Sequence, residues 1–211
     1  MCSRNRLKSI KAIIFDMDGT LCLPQPWMFP AMRQAVGLQD PSVDILTFIE
    51  ALPTPVERLE AHRRIQQVES QAMAEMQPQP GLVTLMRFLT INGISKSICT
   101  RNLREPVDYL IDRFLPAEYS NFDYILTREF KPTKPSGDPL LHIARSLGIE
   151  PANIAMIGDS RDDMLSARAA GCQTVFVHHA SNASLLASDE DSQMIDFVVS
   201  DLTQLVTLLS V

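Results

Sequence analysis

Five short apolar runs rich in Ile, Val and Phe recur along the chain, at Lys11–Asp16, Ser95–Thr100, Phe122–Thr127, Asn153–Gly158 and Thr174–His178, with a weaker sixth at Asp196–Ser200. Most are separated by stretches whose apolar residues fall three and four apart: Leu82–Asn92, Leu103–Leu115, Asp138–Leu147, Arg161–Ala170 and Leu202–Leu209. The runs suit buried strands and the spaced patterns suit amphipathic helices. Strands alternating with helices need crossover connections, which predicts a parallel sheet covered on both faces. The expected fold class is α/β, a doubly wound parallel sheet. Helix-start signals agree with it: Asn102 with Glu105 reads as a capping box, and Asp138 followed by Pro139 as a first helical turn.

One interval breaks the alternation. Between Cys22 and Gln79 there are only three helix-like stretches, Trp27–Val36, Ser42–Leu52 and Val56–Met76, bounded by the proline-rich joints LPQP and QPQPG. This predicts a core made of residues 1–21 and 80–211, with a helical insertion at 22–79 on two hinges.

With 45% of its 211 residues hydrophobic, the chain can fill a substantial core. Nineteen basic against twenty-five acidic residues give a formal charge of -6, which offers no attraction for a polyphosphate backbone. Nucleic acid is therefore not expected as a partner, and any anionic ligand must be a small one met by local positive groups. No apolar run approaches the roughly 18 residues of a membrane span, so no membrane partner is expected either. The four cysteines, at positions 2, 22, 99 and 172, form no CxxC and no Cys/His cluster. They point to reduced thiols rather than disulfides or zinc. The basic opening MCSRNRLKSIK resembles a transit peptide, but only about ten residues precede the first strand. Organelle import is not expected; the cytoplasm is, with the nucleus as a second compartment.

In doubly wound sheets, ligands bind beyond the carboxyl ends of the strands, so the residues just past each strand deserve inspection. After the first strand come Asp16 and Asp18 in IIFDMDGTL, two apart and facing one side at a separation of about 7 Å. After the second comes Thr100 in ICTRN, a hydroxyl beside amides able to hold a phosphoryl oxygen or simply to cap a helix. After the third come Lys131 and Lys134 in the proline-stiffened TREFKPTKPSGDP. After the fourth comes MIGDSRDDM, with Asp159 at the strand end and Asp162 and Asp163 one turn on. Ser160 as N-cap, with acids in the first helical turn, is also ordinary helix chemistry. Together these positions bring several carboxylates to one sheet edge. Two unit charges ~4 Å apart repel by about 4 kcal/mol at an effective dielectric of about 20, so a cation is called for. All-oxygen donors suit magnesium better than zinc.

These residues resemble the motifs of the haloacid dehalogenase (HAD) superfamily in its phosphatase branch, of the phosphoglycolate phosphatase kind. The matching parts are DMDGTL at Asp16–Leu21, the strand-end Thr100, Lys134 in KPSGDPLL, and GDSRDDM at Gly158–Met164, in family order over nearly the whole chain. The resemblance implies a Rossmann-like core with a helical cap between the first and second motifs. It implies Asp16 as nucleophile and Asp18 as acid and base, forming and hydrolysing an aspartyl-phosphate. Thr100, Arg101 and Lys134 would bind the phosphoryl group, and Asp16, Asp18 (through its carbonyl), Asp159 and Asp163 would bind Mg2+. Asp163 is favoured over Asp162, and Lys134 over Lys131, on motif spacing. The usual acidic-Ser step after the first motif is replaced here by LCLPQP.

The implied activity is magnesium-dependent hydrolysis of a small phosphorylated metabolite by a monomer or weak dimer. A sugar-phosphate mutase uses the same two aspartates and would isomerise rather than release phosphate. A binding or regulatory protein on this scaffold would show no metal-dependent turnover. Trp27, Arg33, His62, Arg63 and Arg64 are the chemically suited candidates for substrate contacts in the insertion.

Overall fold

The computed structural model describes Leu7 and residues 9–210. The basic N-terminal stretch through Arg6, with Cys2, lies outside the described residues. The chain forms two compact units, one from the chain up to Pro24 and from Gln77 on, the other from Gln25–Met76.

In the first unit, six parallel strands stand in the order β3-β2-β1-β4-β5-β6. They are β1 (Ala12–Phe15), β2 (Ser95–Cys99), β3 (Tyr124–Leu126), β4 (Ile154–Gly158), β5 (Gln173–Val177) and β6 (Phe197–Val199). All the strands expected from the apolar runs are present; β5 is shifted one residue toward the N-terminus, and the other five are shortened by one to three residues. The chain runs outward from β1 in one direction through β2 and β3, then returns to β4 and continues the other way. This reversal between β1 and β4 makes the topological switch point, where a crevice opens at the carboxyl ends.

β1 and β4 are wholly buried. Ala12 and Ile14 of β1 pack with Ile154 and Met156 of β4 against Leu140, Ile143 and Ala144 of α6 (Asp138–Leu147) and Ala167 and Ala170 of α7 (Arg161–Ala170). Ile13 and Phe15 alternate to the other face and are also fully buried. Helix α4 (Leu82–Ile91) lies against β2 and α10 (Leu202–Leu209), burying Leu85, Met86, Leu89, Leu202 and Leu205. Helix α5 (Arg104–Phe114) connects β2 to β3. Two single-turn helices, α8 (Ser184–Ala187) and α9 (Asp189–Ser192), follow β5 without any periodic apolar signal to announce them.

The second unit contains α1 (Met28–Val36), α2 (Ile45–Glu50) and α3 (Pro55–Ala74). Met28, Met32, Ile45, Ile49, Ala61 and Ile65 form its own core. Thr54 and Glu57 close a capping box at the start of α3, with Pro55 in the first turn, and Asp44 caps α2. Among the described residues no helix is long and apolar enough to cross a membrane.

The expected Asn102–Glu105 capping box does not form. The N-cap of α5 is Leu103, with no side-chain cap bond, because the Asn102 amide is drawn to Asp18 instead.

Candidate active site

Backbone geometry at the switch point delivers three carboxylates. The amide of Asp16 donates to the Ile157 carbonyl at 2.9 Å, extending the ladder one residue past β1, and Asp16 is left 9% exposed. Gly19 turns the chain with φ +74, and a Cβ there would lie 2.1 Å from Asp159 Oδ2. Gly158, the last residue of β4, would bring a Cβ to 2.4 Å from Asp163 Cγ. Both positions exclude any side chain because a carboxylate presses directly on the backbone. Candidate ligand oxygens of Asp16, Asp159 and Asp163 all lie within 4.8 Å of one another.

Asp163 is fully buried and serves two purposes. Its Oδ2 accepts from the Ser160 amide at 3.1 Å and hydroxyl at 2.6 Å, completing the capping box of α7. Its Oδ1 accepts from Lys134 Nζ at 2.6 Å. The same ammonium donates to Asp16 Oδ1 at 2.6 Å, and Lys134 is only 4% exposed. Lys131 is exposed.

Electrostatics follow from this crowding. Burial pushes the Asp16 carboxyl well above the usual carboxylate range; Lys134 opposes the shift, while Asp163 and Asp159 reinforce it. Burial also raises Asp159, with the hydrogen bond from His179 working against it. For Lys134 burial alone would lower the value, yet Asp16 and Asp163 hold it above the ordinary lysine range. Asp16 and Asp163 thus share the Lys134 ammonium, with the Asp159 carboxylate close by. Hard oxygen donors with an excess of negative charge fit a divalent cation such as Mg2+, which prefers carboxylates to nitrogen or sulfur ligands. The neighbouring thiols are poor nucleophiles: burial and Asp18 push Cys22 up, and burial pushes Cys99 up to about 12.

Of the other residues singled out in the sequence, Asp18, Thr100, Arg101 and Asp162 lie in the same unit as this cluster, and Trp27, Arg33, Arg63 and Arg64 lie in the other. Asp18 Oδ2 accepts from Asn102 Nδ2 at 2.7 Å, and the Cys22 thiol donates to its Oδ1 at 3.6 Å. Thr100 is 4% exposed, and its Oγ1 accepts from the Asn102 amide at 3.1 Å. Arg101 turns to Asp162, with Nη1 3.1 Å from Oδ2. In the helical unit, Arg33 donates to the carbonyls of Asp40, Pro41 and Val43 and so braces a loop. Arg63 and Arg64 pair with Glu60, and Trp27 packs on the unit's core.

Two residues at the site escaped the sequence reading. Asn102 looks like a helix cap by local pattern, and its true partner is 84 residues away. His179, two residues past β5, holds Asp159 Oδ2 with Nε2 at 2.8 Å. Extending the inspection of strand ends to β5 would have reached it.

Residues 10–171 match the family model described as haloacid dehalogenase-like hydrolase. An uncharacterized hydrolase of Saccharomyces cerevisiae is 60% identical over 96% of this chain and 92% of its own length. A phosphoglycolate phosphatase of Neisseria meningitidis is 27% identical over 94% of this chain and 93% of its own. In fold, the chain resembles the crystal structure of CbbY from Rhodobacter sphaeroides in complex with phosphate. That likeness has a TM-score of 0.70 at 21% identity, covering 93% of this chain and 96% of that one.

Proposed function

The chain belongs to the haloacid dehalogenase-like hydrolases, in their phosphatase branch, and we propose that it is a magnesium-dependent phosphomonoesterase acting on a small phosphorylated metabolite. The observation that carries this reading is the buried Lys134 ammonium bridging Asp16 and Asp163, with Asp159 alongside. Such an arrangement places positive charge against a nucleophilic carboxylate that must meet a phosphate dianion.

In this reading Asp16 attacks phosphorus, forming an Asp16 Oδ–P bond as the P–O bond to the leaving alcohol breaks. Asp18 gives its proton to that alcohol. Asp18 then takes a proton from water, whose oxygen bonds phosphorus as the aspartyl–phosphorus bond breaks, and inorganic phosphate leaves. Asn102 orients Asp18 through its Oδ2 contact. Thr100, Arg101 and Lys134 hold phosphoryl oxygens. Mg2+ held by Asp16, Asp159, Asp163 and the Asp18 carbonyl would supply Lewis-acid charge, keeping Asp16 ionised and offsetting charge on the phosphoryl oxygens. We assign the choice among esters to the helical unit, and the cytoplasm as the compartment, since Cys22, Cys99 and Cys172 are free and buried.

A panel of phosphorylated metabolites, assayed with and without Mg2+, tests the proposal. The naming of several relatives as phosphoglycolate phosphatases makes 2-phosphoglycolate the first ester to try. Asp16→Asn is expected to fold and to release no phosphate; full turnover by that variant would sink the mechanism.

A further inference from the structure

Asp159 is gripped by a short turn that the mechanism above does not use. The turn runs from His179 through the single 3-10 helical turn Ala180–Asn182, directly after β5. Asn182 anchors it: its Oδ1 accepts from the His179 amide at 2.9 Å, and its Nδ2 donates to the Asp159 and Val177 carbonyls, both at 2.9 Å. With both amide protons so used, Asn182 has none left for His179 Nε2, which lies 3.0 Å from its nitrogen. His179 Nε2 therefore faces the Asp159 carboxylate as a donor, at 2.8 Å from Oδ2. Ser181 Oγ lies 2.8 Å from Nδ1 and can give or take a proton there, so the donor role of Nε2 holds for either orientation of the hydroxyl.

Gly19 also closes on Asp159 Oδ2: a Cβ there would stand 2.1 Å away. One oxygen of this carboxylate is thus both pressed close to the backbone and hydrogen-bonded. Fixing Oδ2 also fixes rotation about the Cβ–Cγ bond, and with it the position of Oδ1. A free Asp would lose that rotation on binding a cation; here the ordering is already present in the fold. An imidazole N–H on a ligating carboxylate also sets its orientation and its basicity.

We propose that His179 is a positioning residue for the cation site, acting through Asp159, with Ser181 and Asn182 holding the ring. The inference rests on the reading of Asp159 as a Mg2+ ligand, and its test separates the two. Equilibrium Mg2+ titration of the whole metal-free protein, by calorimetry and by thermal shift, reads affinity without any assay of turnover. Asp159→Ala should abolish measurable binding. His179→Leu should raise the Mg2+ dissociation constant about 10- to 100-fold, His179→Gln should recover most of the loss through its amide donor, and Ser181→Ala should weaken binding about two- to fivefold. A merely structural histidine would instead lower the metal-free melting temperature and leave the dissociation constant of the folded protein unchanged. Wild-type affinity in His179→Leu, alongside loss in Asp159→Ala, overturns the role of His179 alone. Wild-type affinity in Asp159→Ala overturns the ligand reading and the inference with it. Should His179→Leu fail to fold, unchanged affinity in the exposed Ser181→Ala variant decides against the inference.

Discussion

Two lysines are buried in the core unit to nearly the same degree, Lys134 at 4% exposure and Lys96 at 6%, and their surroundings could hardly differ more. Lys134 meets two carboxylates at the carboxyl edge of the sheet. Lys96 sits near the start of β2, at the opposite edge, where it donates to the neutral Thr90 hydroxyl at 2.9 Å and lies 6.0 Å from the Phe122 ring centre. Their titration moves in opposite directions. Carboxylates hold Lys134 above the ordinary lysine range, whereas burial lowers Lys96, with Asp123 only partly restoring it. Burial alone therefore does not mark a functional lysine. What marks Lys134 is a surplus of carboxylates around it at the place where the strand order reverses.

Removing each charge tests this contrast. Lys134→Met is expected to lower kcat about 10²- to 10³-fold, since it deletes the ammonium that meets Asp16 and Asp163. It should also destabilise the metal-free protein by about 3 kcal/mol, because Asp16 and Asp163 would stay buried without their partner. Lys131→Ala, on an exposed side chain of the same loop, should leave both quantities near wild type. Equal losses in steady-state kinetics would dissolve the distinction. Next in size is Gly19→Ala. A methyl group there strains a backbone at φ +74 and displaces Asp159, so a cost of about 1–3 kcal/mol in urea unfolding is expected. Mg2+ affinity should fall about tenfold along with it.

Only part of this arrangement could be read from sequence. The strands β1, β2, β4 and β5 were legible because fully buried parallel strands are near-continuous apolar runs, and α6, α7 and α10 because an amphipathic face repeats. Asp16 and Asp159 were legible because they follow such runs directly. Choosing Lys134 over Lys131 needed the motif resemblance, since burial of a loop lysine is a tertiary fact that no local pattern carries. Asn102 misled for the converse reason: a correct local signal, Asn with Glu three residues on, lost to a carboxylate brought close by the sheet. His179 stands at a strand end that the sequence does mark, but its pairing with Asp159 depends on the turn after β5, and α8 and α9 are too short to show a period.

The smallest expected effects belong to Lys96 and to alkaline pH, where the two lysines should again part company. A group whose folded value lies below its unfolded one binds fewer protons folded, so stability rises with pH through that window. For Lys96 the window ends at the ordinary lysine value, 10.5. The stability difference between wild type and Lys96→Met should therefore shift toward wild type as pH climbs to 10.5. Lys134 has the opposite sign: its contribution is fully present below 10.5 and is lost only above it. The difference between wild type and Lys134→Met should accordingly stay flat over the same range. Near neutral pH, Lys96→Met replaces a poorly paired buried charge with a side chain of similar length. Its stability should stay within about 1 kcal/mol of wild type, and its kcat and Mg2+ affinity should not change. Urea unfolding at several pH values, together with the phosphatase assay, measures all of these. A tenfold fall in kcat for Lys96→Met would mean that the far edge of β2 communicates with the carboxylate cluster, and the contrast between the two lysines would fail.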